Sequence, residues 1–385
     1  MTKYSRITGW GKYAPEKVLT NQELEKMVDT SNEWIITRTG IRERRIAAPE
    51  ETTATMSVEA ARAALDKAQL RPTDLDLIIV ATSSPDHFLP AVSSTIQDML
   101  GAKDVGAFTL VAGCTGFVYG LATAHQFIAN GNCENVLVIG ADLISRFVDW
   151  EDRNTCVLFG DGAGAVVLTA SDMPGGVLSF VLGSDGSLGD ALIVPAIGCK
   201  EPFSQKVLNE RTHYIRMDGR RVFKFATRIM SKAAVEAVKA SGLSLSDIDL
   251  LIPHQANLRI IELARRHLGL PEDKVFINVD RYGNTSAASI PIALCEAIEE
   301  GRVNEGDNVV MVGFGGGLTW AATVVHMGVM ETLPRLVAWR FVPVGSLSFE
   351  EMKVIARATM DSLAFKASAL LLPLYSKTGL RRRRK

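Results

Sequence analysis

The chain has 385 residues, 47% of them hydrophobic and 22% charged, enough to bury a large core and to form two or three domain-sized units. Its 42 Lys and Arg against 43 Asp and Glu give a formal net charge of -1, without the basic excess of a nucleic-acid binder. The 5 cysteines and 6 histidines show neither CxxC nor metal-ligand spacing, which points away from a disulfide framework or a metal site and fits free thiols in a reducing cytoplasm.

The opening MTKYSRITGWG lacks the apolar core of a secretory signal, and no later apolar run reaches bilayer-spanning length. In NEWIITR, Trp34 and Arg38 read on their own as an amphipathic surface pair. From Ala61, ARAALDKAQLRPTDLDLIIVA reads as a helix feeding a buried strand. The stretch Phe108 to Asn130, FTLVAGCTGFVYGLATAHQFIAN, passes from strand to a helix with so few charges that it must be buried on nearly all sides. Cys114 falls at or before its first turn. There, unpaired backbone N–H groups and the positive end of the helix dipole favour a thiolate and a depressed thiol pKa. The competing reading is a small core cysteine.

A repeat organises the rest. AVEAVKASGLSLSDIDLLIPH, from Ala234, echoes the segment at Ala61, with Asp249 matching Asp76. DNVVMVG, ending at Gly313, echoes ENVLVIG, ending at Gly140, at the same offset. Two echoes at one offset imply two homologous α/β halves. They also set the Cys114 loop opposite GNTSAAS, Gly283 to Ser289. The insertion ADLISRFVDWEDRNTCVLF, which contains Arg153, has no counterpart in the second half and is a natural place for substrate contacts. The glycine-rich runs FGDGAGAVVL and GFGGGLTWAATVV lead into strand-like sequence and lack a ribose acid, so a dinucleotide-binding loop fails its context test. Tight turns that let backbone amides approach a ligand are the alternative.

Three junctions then converge at one end of the sheets, where open α/β sheets hold their sites. They carry Cys114, His254 in LLIPHQANLRI, and Asn284 in DRYGNTSAASIP. Singly, His254 reads equally as a structural histidine and Asn284 as a cap or turn residue.

Several motifs in consistent order resemble 3-oxoacyl-[acyl-carrier-protein] synthase III, a condensing enzyme family with the thiolase fold. They are SNEWIITRTGIRERRI, AGCTGF, EDRNTCVLFGDGAGAVVL, MDGRRVFKFA, IPHQANLRI, RYGNTSAASIP and GFGGGLTWA, spread over residues 1 to about 326. The resemblance implies an α/β, thiolase-like fold: two duplicated halves, central sheets sandwiched between helices, five layers in the order αβαβα. The expected divisions are 1–175 with the cysteine, 176–327 with the histidine and asparagine, and an extension of unknown role at 328–385. The implied reaction is decarboxylative condensation of a short acyl-coenzyme A primer, acetyl first, with malonyl-acyl carrier protein. It initiates fatty-acid synthesis in the cytoplasm, in a homodimer, with no tightly bound cofactor and no metal.

Residue by residue, the resemblance makes Cys114 the acylated nucleophile and His254 and Asn284 the donors to the malonyl thioester carbonyl. The Cys114 backbone N–H and one near Gly316 would form the oxyanion hole, with Phe314 shaping the cavity. Trp34, Arg38 and Arg153 would hold the adenine nucleotide, and Gly219, Phe223 and Asn257 would line the pantetheine tunnel. A basic stripe of Arg221, Lys224, Arg228 and Lys232 on one helix, continued by Gln255, Arg259, Arg265 and Arg266, would dock the acidic carrier protein; the competing reading is a solvated helix face. Elongating condensing enzymes have a second histidine where Asn284 stands, thiolases a second cysteine in the last glycine-rich run, and hydroxymethylglutaryl synthases an acid near Ser83 and Ser84. The remaining alternative is a specialised-metabolite or polyketide-type ketosynthase III with a branched or medium-chain starter.

The sequence departs from the family pattern in three places. Gly113 and Thr115 stand where alanine is frequent. Leu89, preceded by Phe88, stands where many relatives have phenylalanine reaching across the dimer to bound the partner's acyl pocket. Beyond Met327 lies an extension ending in RRRRK, in which Ser348 to Leu372 is expected to form one or two amphipathic helices.

Overall fold

The computed structural model of the protein describes residues 3–330 together with Lys353, Val354, Ala356 and Arg357. The helices expected between Ser348 and Leu372 lie almost wholly outside the described residues.

Two sheets form the frame. The first contains β1 (Tyr4–Tyr13), β2 (Leu77–Ala81), β3 (Gly106–Leu110), β4 (Asn135–Leu143) and β5 (Asp161–Ser171), in the spatial order β1-β5-β4-β2-β3. The second contains β6 (Gly175–Ser184), β7 (Leu250–Pro253), β8 (Asn308–Gly315) and β9 (Thr319–Val329), in the order β7-β8-β9-β6. The pairing is the same in both halves: β2 beside β4 and β7 beside β8 are parallel, then β5 and β9 return antiparallel. The two glycine-rich runs lead into β5 and β9, as their β-branched sequence requires.

The helices supply three further layers. α1 (Thr53–Ala68) and α2 (Val92–Leu100) cover the outer face of the first sheet, and α4 (Gly219–Ala240) with α5 (Leu258–Leu268) covers that of the second. Between the sheets lie α3 (Gly116–Ala129) and α6 (Ser289–Glu299), whose apolar side chains share one core with residues of both. A helix flanked by two sheets has no solvent face, and this is why both sequences are nearly free of charge. Thiolase-like αβαβα layering follows.

The duplication reaches individual hydrogen bonds. Asp76 accepts from the backbone N–H of Asn135 at 2.9 Å, and Asp249 accepts from that of Asn308 at 2.8 Å. The Asn135 side chain donates to the Asp74 carbonyl at 3.1 Å, and that of Asn308 to the Asp247 carbonyl at 2.9 Å. Each half thus pins the start of one parallel strand to the loop entering its neighbour. A 3-10 turn at Gly113–Thr115 precedes α3, and one at Ser286–Ala288 precedes α6. Neither central helix has a side-chain cap.

Candidate active site

The cysteine turn and its repeat counterpart pack against each other. Cys114 is 6% exposed, and the Ser286 hydroxyl donates to its sulfur at 3.4 Å. Ser286 holds φ 53° and Gly113 φ 58°, both in the left-handed region. Glycine adopts that conformation freely, whereas serine does so at a cost of order 1 kcal/mol. The second glycine turn closes over the cysteine: a Cβ at Gly315 would lie 2.5 Å from the Cys114 backbone nitrogen. Thr319 Oγ1, 3.0 Å from the Ala112 carbonyl and 2.9 Å from Thr115 Oγ1, ties this turn to the cysteine turn. The backbone N–H groups of Cys114 and Gly316 favour the thiolate form of the sulfur.

The histidine and asparagine arrive from the second half. His254 leaves β7 with its N–H on the Val312 carbonyl at 2.8 Å. Its Nδ1 lies 2.5 Å from Ser289 Oγ, and its ring packs edge-on against Phe314 with 5.4 Å between centroids. The buried Nε2 of His254 has no partner among the described residues. Asn284 is clipped by the end of the insertion, donating its N–H to the Leu158 carbonyl at 2.8 Å and accepting from Gly160 N–H at 3.0 Å. Its side-chain oxygen accepts from Ser286 N–H at 2.9 Å, which leaves the amide NH2 as the outward donor.

Burial dominates the electrostatics. It pushes the Cys114 thiol up to about 12; the Ser286 hydroxyl and the Cys114 and Gly316 N–H groups pull it down, while the Asp142 charge adds to the rise. This corrects the expected depression of the thiol pKa, because desolvation of a fully enclosed thiolate outweighs the donors at the helix end. Burial also drives His254 down to about 3, so its imidazole is neutral near neutral pH. Asp142, raised by burial, accepts from Ser83 N–H at 2.8 Å, Ser84 Oγ at 2.8 Å, Thr82 Oγ1 at 3.0 Å and Ala287 N–H at 3.1 Å. It joins the halves beside the cysteine. No group of three or more His, Cys, Asp or Glu suited to a metal ion occurs among the described residues.

The surrounding residues divide. Trp34, on the short helix Asn32–Thr39, lies beside Arg38 and Arg153, whose guanidinium carbons are 6.0 Å and 5.0 Å from its ring. Arg153 donates to the Asp29 carbonyl at 2.8 Å. Asn257 caps α5 through Arg259 N–H and donates to the Arg38 carbonyl at 3.1 Å, joining this helix to the histidine loop. Arg259 covers the Phe223 ring at 5.4 Å, and Gly219 opens α4.

The basic stripe is thinner than its sequence suggests. Gln255 is buried and saturated: its amide donates to the Pro253 and Phe276 carbonyls, and its oxygen accepts from Asn278 and Val279 N–H. It is a structural tie and cannot meet a carrier protein. Arg221 pairs with Asp190, Lys232 with Glu236, Arg265 with Glu262 and Glu272, and Arg266 lies 3.9 Å from Glu262. Lys224 is half-buried, whereas Arg228 is exposed with no ion pair among the described residues. Phe88 and Leu89 are 81% and 86% exposed, so neither encloses a cavity within its own chain.

Sequence reasoning missed Ser286, Ser289 and Asp142. The repeat held the signal for both serines: the offset relating Asp76 to Asp249 sets Ser286 opposite Gly113 and Ser289 opposite Gly116, across from the cysteine. Asp142 opens the insertion and had no such marker.

Residues 108–186 match the family described as 3-oxoacyl-[acyl-carrier-protein (ACP)] synthase III, and residues 238–327 match its C-terminal part. A beta-ketoacyl-[acyl-carrier-protein] synthase III of Roseiflexus sp. (strain RS-1) is 53% identical over 326 residues, 85% of this chain and 99% of that protein. The crystal structure of 3-oxoacyl-[acyl-carrier-protein] synthase III from Aquifex aeolicus VF5 superposes with a TM-score of 0.78 at 50% identity, covering 84% of this chain and 99% of that one. The priming beta-ketosynthase of the R1128 polyketide pathway gives 0.79 at 37% identity, covering 85% and 97%.

Proposed function

The chain belongs to the 3-oxoacyl-[acyl-carrier-protein] synthase III family, and from that premise we propose how its residues divide the work. The protein is an acyltransferase that condenses a short acyl-coenzyme A primer with malonyl-acyl carrier protein, releasing coenzyme A and carbon dioxide and initiating fatty-acid synthesis. Identity near one half with fatty-acid initiating enzymes, against 37% with the polyketide priming enzyme, favours this reading over the specialised alternative.

In the first half-reaction the Cys114 sulfur bonds to the primer carbonyl, and the coenzyme A sulfur departs with the thiol proton. With the resting thiol protonated, attack and proton departure are coupled. The carbonyl oxygen takes negative charge between the N–H groups of Cys114 and Gly316. In the second, the malonyl carboxylate leaves as carbon dioxide and its bonding pair becomes an enolate. The enolate oxygen accepts from His254 Nε2–H and the Asn284 amide. The carbanion then attacks the acyl carbonyl, and the Cys114 thiolate leaves against the Ser286 hydroxyl and regains a proton from solvent. Trp34, Arg38 and Arg153 suit an adenine nucleotide, offering an aromatic face beside guanidinium groups. Gly219, Phe223 and Asn257 line the path of its pantetheine arm.

The observation that carries this reading is the convergence of both halves on one buried sulfur, with two donors left free beside it. Incubation with labelled acetyl-coenzyme A, followed by peptide mass spectrometry, should place the label on Cys114; label elsewhere, or none with any acyl donor, overturns it. The exposed apolar Phe88, Leu89 and Val111, together with the edge position of β3 in its sheet, support a homodimer that completes each acyl pocket. No helix among the described residues is long and apolar enough to cross a membrane; we place the enzyme in the cytoplasm. The first sheet ends at Ser171 and β6 opens at Gly175, which supports halves of 1–175 and 176–327 followed by the extension.

A further inference from the structure

We propose that Ser289 is a positioning residue that fixes His254 in the Nε2–H tautomer, so that the imidazole meets substrate only as a hydrogen-bond donor. The inference deepens the reading of His254 as an enolate donor and rests on it.

Two buried groups, the Ser289 hydroxyl and His254 Nδ1, lie 2.5 Å apart, and only one proton can occupy the line between them. Either the hydroxyl donates to a bare Nδ1, or Nδ1–H donates to the hydroxyl oxygen. In the second arrangement the serine proton must find another acceptor. The ordinary acceptor for a helical hydroxyl is the carbonyl four residues earlier. Thr39, Thr123 and Thr227 donate in that way to Ile35, Tyr119 and Phe223. Ser289 does not: among the described residues its hydroxyl has no partner except His254. The first arrangement therefore satisfies both groups, while the second strands a buried proton without an acceptor, which is the costlier state. A neutral imidazole with a bare Nδ1 carries its proton on Nε2.

That proton has no hydrogen-bond partner among the described residues, and the ring holding it cannot turn freely. Phe314 packs against one side, and a Cβ at Gly313 would come within 3.3 Å of the His254 Cβ. The arrangement suits a developing oxyanion, which needs an N–H in place before charge appears. The wrong tautomer would present a lone pair to the enolate and repel it. The same lock denies Nε2 the lone pair it would need to take a proton from Cys114.

The closing experiment reads the tautomer and the chemistry separately in the full-length enzyme. Selective 15N-histidine labelling gives a small set of ring signals, since the chain has 6 histidines; His254 is assigned by loss of its signals in His254→Asn. At neutral pH the wild type should show a bare Nδ1 and a protonated Nε2. Ser289→Ala should move the ring toward a tautomeric mixture and slow malonyl decarboxylation about tenfold or more, leaving acyl loading on Cys114 nearly unchanged. Ser289→Thr, which keeps a hydroxyl, should restore both signals and rate. A wild-type ring protonated on Nδ1 overturns the proposal whatever the variants do, as does a Ser289→Ala enzyme with unaltered tautomer and decarboxylation. If His254→Ala decarboxylates at the wild-type rate, the donor reading itself fails, while the spectrum still judges the tautomer.

Discussion

At Cys114 the balance between desolvation and local donors sets the reactivity of the thiol. Enclosure holds its pKa near 12 despite the Ser286 hydroxyl and two backbone N–H groups, so the thiolate is scarce near neutral pH. Alkylation of Cys114 by iodoacetamide, followed by peptide mass spectrometry, should therefore accelerate about tenfold per pH unit and still be rising at pH 9.5. A plateau below pH 8 would mean that the helix end wins after all. On the proposed mechanism, the neutral imidazole of His254 and the Asn284 amide act in the other half-reaction. His254→Ala and Asn284→Ala should each slow carbon dioxide release from malonyl-carrier protein by about 3 kcal/mol, or roughly a hundredfold. Acyl loading should stay near the wild-type rate; a variant that loses loading and keeps full decarboxylation refutes its assignment.

Helices α4 and α5 show how an apparently basic face is spent within the molecule. Asp190, Glu236, Glu262 and Glu272 engage Arg221, Lys232 and Arg265, so these side chains are paired before any partner arrives. Arg228, exposed and without an ion pair among the described residues, and Arg259, stacked over Phe223, are the two proposed contacts for an acidic carrier protein. Replacing both by serine should raise the apparent KM for malonyl-carrier protein and flatten its salt dependence, because exposed charges steer encounter and are screened by ions. Loading from the small acyl-coenzyme A should change little. Equal loss in both half-reactions would indicate damage to the site, and no change would remove both residues from the interface.

At the scale of the whole molecule, Phe88 and Leu89 form an exposed apolar pair. Side chains this exposed cannot select an acyl chain alone, so selection by Leu89 requires a second copy. If Leu89 bounds the acyl pocket of a second copy, a branched leucine in place of a flat ring alters the shape of that pocket, and one methylene is worth about 1–3 kcal/mol there. Condensation rates with acetyl, isobutyryl, butyryl and octanoyl donors should therefore shift toward acetyl in Leu89→Phe. An unchanged profile in that variant, or a monomer that retains full activity, would rule this position out.

The sequence by itself determined the duplication and, through it, the frame. Asp76 with Asp249 and Gly140 with Gly313 fix one offset, and equal sequence at equal spacing folds into equal units, down to paired clips at Asn135 and Asn308. It also located the three junctions bearing Cys114, His254 and Asn284, because a strand end, a glycine turn and an uncharged helix each leave a local pattern. Tertiary structure alone decided what surrounds them. Gln255 occurs in a motif that reads as exposed, yet four hydrogen bonds hold it in the core. The Cys114 pKa depends on burial beneath the Gly315 turn, on the Gly316 N–H and on the Asp142 charge, all from elsewhere along the chain. Ser289 gains its partner only because β7 ends beside the start of α6. Periodicity and turn chemistry are local and survive in one dimension, whereas desolvation and hydrogen-bond partnership depend on neighbours that only the folded chain assembles.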